Sequence, residues 1–203
     1  MKAVMLAVQP KWVEKIANGQ KTIEVRKTAP KCEVPFKCYI YCTKSTRANV
    51  FHLYINGGIG RQKFGITGHW RSGKKVVEVN PHLPAYRYNS YLAEGKVIGE
   101  FVCDSAEWMS MRDCDKACMT LKEAVDYSKG KKLYAWHISD LKIYDKPKEL
   151  HEFKRECPKT SIKRADCITC PFEYYEPRKR VSSCDAYLKR PPQSWQYVEE
   201  LQE

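Results

Sequence analysis

Residues 10–27 read PKWVEKIANGQKTIEVRK, and the turn at their centre decides the fold. Pro10 stands where the first position of a helix tolerates proline, and Gly19 where a helix stop favours glycine. Between them Trp12, Val13, Ile16 and Ala17 fall on one helical face, with Lys11, Glu14, Lys15 and Asn18 on the other. The spacing therefore predicts a short amphipathic helix with a sharp end. In TIEVRK, Ile23 and Val25 alternate with Thr22, Glu24 and Arg26, a period of two that predicts a strand with one apolar and one polar face.

Working outward, the apolar run Ala3–Val8 predicts a buried strand before the helix, and KCYIYC (Lys37–Cys42) another after it, with Cys38, Ile40 and Cys42 on its core face. KVIGEFVCD (Lys96–Asp104) reads as a strand. Thr120 and Glu123 have capping-box spacing, which starts a helix running to about Gly130. LYAWHISDLKIY (Leu133–Tyr144), rich in aromatic and β-branched residues, returns to the sheet, and Lys146–Pro147 marks a boundary. Between residues 45 and 94, glycines and basic residues crowd together as in an insertion of hairpins and loops. Beyond Leu150 the chain is rich in cysteine and poor in aliphatics, until Trp195, Tyr197 and Val198 offer a segment that can dock on the core.

The 203 residues allow one substantial domain with an appended module, and 43% hydrophobic residues exclude wholesale disorder. No apolar run approaches the roughly 18 residues of a membrane span, and no secretory signal pattern is present, so a cytoplasmic protein without membrane contact is expected. The formal net charge is +12, a field that attracts polyanions. Between Thr43 and Lys96 it is uneven: Lys44, Arg47, Arg61, Lys63, Arg71, Lys74, Lys75, Arg87 and Lys96 face only Glu78 and Glu94. Nucleic acid is the partner this distribution points to.

The core of the opening stretch, GQKTIEVR, places Gly19, Lys21, Glu24 and Arg26 at fixed steps. Helix capping accounts for the glycine alone. The three charged residues form either a surface ion-pair cluster worth little energy or a working site at a helix–strand junction. Their pattern, G-x-K-x-x-E-x-R after a short N-terminal helix, resembles the signature of the ASCH domain, a branch of the PUA-like β-barrels. GKVIGEF (Gly95–Phe101) and YAWHISDLKIY resemble later strands of that family, in matching order. The ending RPPQSW is similar to that of phage and bacterial ASCH proteins. The resemblance covers roughly residues 1–45 and 95–150.

What the resemblance implies is an α+β fold: a PUA-like (ASCH) β-barrel with flanking helices, here carrying a basic Gly-rich insertion and a Cys-rich C-terminal extension. It further implies a cleft holding Lys21, Glu24 and Arg26 that takes RNA or a modified nucleoside. Some members are amidohydrolases on N4-acetylcytidine, using a motif lysine, a threonine and a distant glutamate. Lys21 matches the lysine, Glu24 stands where the threonine belongs, and the distant glutamate has only Glu100 and Glu123 as candidates. A carboxylate beside Lys21 favours the protonated amine, hence a binding contact over a nucleophile.

The expected nucleic-acid contacts are Lys21, Glu24, Arg26, Lys27, Trp70, Arg71, Lys74 and Lys75, with Trp70 as a stacking residue and Trp12, Tyr134 and Trp136 as packing residues. If the protein is an enzyme, Lys21 and Glu24 are its catalytic residues and RNA or a modified nucleoside its substrate. Cys157, Cys167, Cys170 and Cys184, spaced C-x9-C-x2-C-x13-C, can close a tetrahedral structural zinc site, with His151 able to replace Cys157. Residues 1–150 thus make an ASCH/PUA-like domain interrupted at about 45–94, and residues 151–203 a zinc-binding extension. RNA is favoured over DNA. A zinc-stabilised protein-interaction module is the remaining reading.

Overall fold

The chain opens with β1 (Lys2–Val8), of which every residue after Lys2 is buried. A computed structural model describes residues 2–44, 51–54, 77–79, 90–156 and 186–201, with backbone alone for 51–54, 77–79 and 90–92. After β1 come α1 (Pro10–Ala17), β2 (Ile23–Arg26), β3 (Phe36–Cys42), β4 (Phe51–Tyr54), β5 (Val77–Val79), β6 (Ser90–Leu92), β7 (Val97–Cys103) and β8 (Ala106–Trp108). Then follow α2 (Asp113–Lys116), α3 (Leu121–Ser128), β9 (Tyr134–His137), β10 (Ser139–Lys148), a 3-10 turn (Leu150–Glu152) and β11 (Trp195–Glu199).

The main sheet has the order β10-β7-β3-β1-β11, antiparallel except where β1 runs parallel to β3. Both its faces are covered. Val4, Leu6 and Val8 join Cys38, Ile40 and Cys42 in one core with Trp136, while Ala3, Met5 and Ala7 join Tyr39, Tyr41 and Phe153 in another. Burial on two faces is why β1 and β3 are written as unbroken apolar runs rather than alternating ones. A second sheet, β2-β9-β8, lies over the first core, and a small antiparallel sheet, β5-β4-β6, is formed by the described part of the insertion.

Two expectations are corrected. LYAWHISDLKIY is not one strand: β9 belongs to the second sheet and β10 to the main one, and the chain changes sheet at buried Ile138, whose N–H donates to Thr22 O. Asp140, at φ +47°, sits just past the corner. Lys146–Pro147 falls inside β10, which runs to Lys148, and an edge strand tolerates proline because its outer N–H groups need no partner. The Thr120–Glu123 capping box is formed in both directions at the start of α3. Trp195–Glu199 docks as expected, as a full antiparallel strand along β1. No described helix is long and apolar enough to cross a membrane.

Candidate functional site

Gly19 ends α1 at φ +72°, a conformation open to glycine at little strain. The Gly19 N–H donates to Ile16 O and the Gln20 N–H to Lys15 O, the paired bonds of a Schellman stop. This tight exit delivers Lys21 and Thr22 to the end of α2: Thr22 N–H donates to Lys116 O, and Lys21 Nζ donates to Ala117 O at 2.8 Å. Lys21 Nζ also lies 3.4 Å from Glu24 Oε2, and Glu24 Oε1 accepts from Arg26 NH2 at 2.9 Å. Arg26 reaches further, donating from NH2 to Ala7 O at 2.8 Å and from NH1 to Ser194 O and Oγ at 3.3 and 3.2 Å.

The three motif residues are thus brought together, but not on the surface. Lys21 is 2% exposed, Glu24 5% and Arg26 6%. The cluster ties the α1–β2 turn to α2 and the second sheet to both β1 and the residue before β11. The polar face of TIEVR points into an ionic interior, not into solvent. Burial pushes the Lys21 pKa below its ordinary 10.5, while the Glu24 carboxylate opposes the shift.

Beside this brace runs a groove of about 460 Å³ lined by Lys11, Trp12 and Lys15 of α1, Cys114 and Asp115 of α2, and Cys118, Met119, Thr120 and Glu123 leading into α3. None of the three motif side chains lines it. Trp12 separates them from it, half-buried, with its ring 4.2 Å from Lys11 Nζ, 5.5 Å from Lys15 Nζ and 5.1 Å from Lys21 Nζ. Trp12 packs against the first core, as expected, but from its rim: at 100° per residue it lies about 70° from the midline of Val13 and Ile16, toward Lys15. Two lysines flanking a tryptophan at i−1 and i+3 were the signal for it. Glu123 is held anionic below its ordinary range, chiefly by the Thr120 N–H and hydroxyl of the capping box. The groove therefore offers an aromatic face, ammonium donors and carboxylate acceptors together.

Lys27 follows Arg26 out of β2, with Nζ 4.9 Å from the Tyr127 ring. His137 has Nδ1 at 2.6 Å from Asp104 Oδ1, and that hydrogen bond is the chief cause holding the Asp104 carboxyl below its ordinary range. Cys38 and Cys42 are buried as expected; of the two cysteines that border the groove, Cys114 is buried and Cys118 only partly covered. Glu100 accepts from Tyr144 Oη at 2.5 Å and pairs with Lys37 Nζ of the neighbouring β3 at 3.5 Å. Trp70, Arg71, Lys74 and Lys75, and the four cysteines Cys157, Cys167, Cys170 and Cys184, lie outside the described residues. His151 is exposed in the 3-10 turn after β10. Among the described residues no group of His, Cys, Asp and Glu is placed to hold a metal.

No protein-family model and no curated protein matches the sequence. Solved structures do match. A single-substitution variant of the ASCH protein of Zymomonas mobilis aligns over 98% of this chain and 89% of its own, at 13% identity and a TM-score of 0.50. The same protein without that substitution aligns over 98% and 88%, at 15% identity and a TM-score of 0.48. At such identities the likeness speaks to architecture only. This chain has the α+β fold of an ASCH domain.

Proposed function

We propose that this protein binds nucleic acid, RNA in preference to DNA, with the groove beside α1 as a nucleotide subsite. The observation that carries the reading is Trp12: a half-buried indole bordering a groove, with the ammonium groups of Lys11, Lys15 and Lys21 within 5.5 Å of its ring. Base stacking on such a face with phosphates on flanking lysines is how single strands are held. The net charge of +12 and the ASCH fold support it. Burial gives Lys21, Glu24 and Arg26 a positioning role, fixing the turn that sets Trp12, while contact falls to Trp12, Lys11, Lys15 and Lys27. Trp70, Arg71, Lys74 and Lys75 extend the same proposal on sequence grounds, as does structural zinc at Cys157, Cys167, Cys170 and Cys184.

A second reading, hydrolysis of RNA or of a modified nucleoside with Lys21 as base, is favoured by one observation, the lowered pKa of that lysine. Against it, Lys21 Nζ is committed to Ala117 O and Glu24 and is closed to solvent. End-labelled single-stranded RNA, run on native and denaturing gels at low and moderate salt, separates the two. The binder retards intact RNA, loses it steeply with salt, and weakens by about tenfold in Trp12→Ala. Shortened RNA establishes the hydrolase. Retardation that is indifferent to Trp12→Ala removes the groove from the proposal.

A further inference from the structure

Across the second sheet one row runs Arg26, Tyr134, Trp108, from β2 through β9 to β8. Arg26 turns inward, but at the edge strand Trp108 is 54% exposed. Its indole stacks on Tyr134, with ring centroids 4.3 Å apart and planes 26° from parallel. Lys132 Nζ lies 4.4 Å from the same indole. Trp108 thus carries a stacked ring and an ammonium at once. Tyr134 is packed against the core, whereas Lys132 is exposed and its flexible stem can withdraw.

The surroundings are basic. SKGKK, residues 128–132, joins α3 to β9 and presents Lys129, Lys131 and Lys132 to solvent. Lys129 and Gly130, at φ +49° and +75°, fold this connection tightly, and the Met109 N–H donates to Leu133 O, which sets it directly beside β8. At the neighbouring end of β2, Lys27 lies over Tyr127. Asp126 of α3 and Glu107 of β8 are the exposed acids nearest in sequence to this surface, and Glu107 points to the other face of its strand from Trp108.

We infer that this edge is a second contact for single-stranded nucleic acid, in which a base stacks on Trp108 in place of the Lys132 ammonium and the lysines of the 128–132 connection take the flanking phosphates. A flat, pre-stacked indole rimmed by cations matches the alternation of base and phosphate. An acidic peptide would satisfy the lysines and leave the indole face unused. The inference rests on the RNA-binding reading but uses none of the residues that line the groove.

The test is binding of a labelled single-stranded RNA of about 20 nucleotides, longer than one site of this kind occupies, to the full chain and to Trp108→Ala, Trp108→Phe and Lys132→Ala. Thermal melting of each variant checks the fold, which an exposed edge residue leaves intact. Trp108→Ala is expected to weaken binding by about tenfold, Trp108→Phe by much less, and Lys132→Ala to flatten the salt dependence. Undiminished affinity in Trp108→Ala, with the wild type binding, overturns this inference and leaves the groove standing. A wild type that binds no RNA overturns both. Poly-glutamate binding that depends on Trp108 while RNA binding does not assigns the surface to an acidic protein and also overturns it.

Discussion

Replacing Glu24 by glutamine tests whether the buried motif is a brace. The substitution conserves volume, so no cavity term enters, and the amide oxygen still accepts one hydrogen bond. What is lost is the negative charge between two cations at 3.4 and 2.9 Å, in a place where all three groups are almost closed to water. Breaking a buried ion pair by removing one partner costs about 3–5 kcal/mol. The surviving bonds of Lys21 to Ala117 O and of Arg26 to Ala7 O and Ser194 place the expected loss at the lower end, about 3 kcal/mol. For a chain of this length that is roughly 6–12 °C in melting temperature. The loss is pH-dependent with a definite sign. The folded pKa of Lys21 already lies below 10.5, and without Glu24 the factor that raises it is gone. Between the folded value and 10.5 the unfolded chain holds more protons, so this group makes stability rise with pH. In Glu24→Gln that window opens at lower pH, and the deficit against the wild type narrows in alkaline buffer. Urea unfolding at pH 7 and pH 9.5 reads both effects. A variant within about 1 kcal/mol of the wild type at pH 7, against the expected 3–5, refutes the brace; a deficit that widens at pH 9.5 refutes the assignment of the loss to Lys21.

Gly99→Ala is expected to destabilise by about 1–3 kcal/mol, because a Cβ there would stand 2.5 Å from Lys142 O on the neighbouring strand; an unchanged urea midpoint contradicts the β7–β10 register. For the extension, elemental analysis of the purified chain is expected to find about one zinc, lost in Cys170→Ser. A metal-free chain that is fully folded ends the zinc proposal. Lys11→Ala and Lys15→Ala should each reduce the salt slope of RNA binding by about 1, and equal slopes in variant and wild type put the phosphates elsewhere.

The strands β1 and β3 were legible because residues buried on both faces leave an unbroken apolar signature, and α1 because Gly19 has a single stereochemical use there. TIEVR was half legible. Its period of two gave the strand and the pairing of Glu24 with Arg26, but alternation does not distinguish water from a second, ionic interior, and Ala7 O and Ser194 are remote in sequence. The corner at Ile138 carried no glycine or proline to announce it; β-branched and aromatic residues continue through it, and only the backbone of Asp140 registers the turn. Trp12 was legible as a packing residue, but a binary inside–outside reading has no category for one that packs from the rim and also borders a groove. Ser194, in the RPPQSW ending that resembled a family feature, takes its meaning from Arg26, a partner 168 residues away.

The pairing of β1 with β11 joins Lys2 to Glu199 and Leu6 to Trp195. β1 therefore meets its outer partner only after about 190 further residues have been made. Until that segment emerges, the nascent sheet holds an apolar strand with an open row of N–H and C=O groups, the kind of edge that recruits other chains. Completion of the main sheet waits for β11, so a chain ended before residue 195 leaves β1 to aggregate or to be captured by a chaperone.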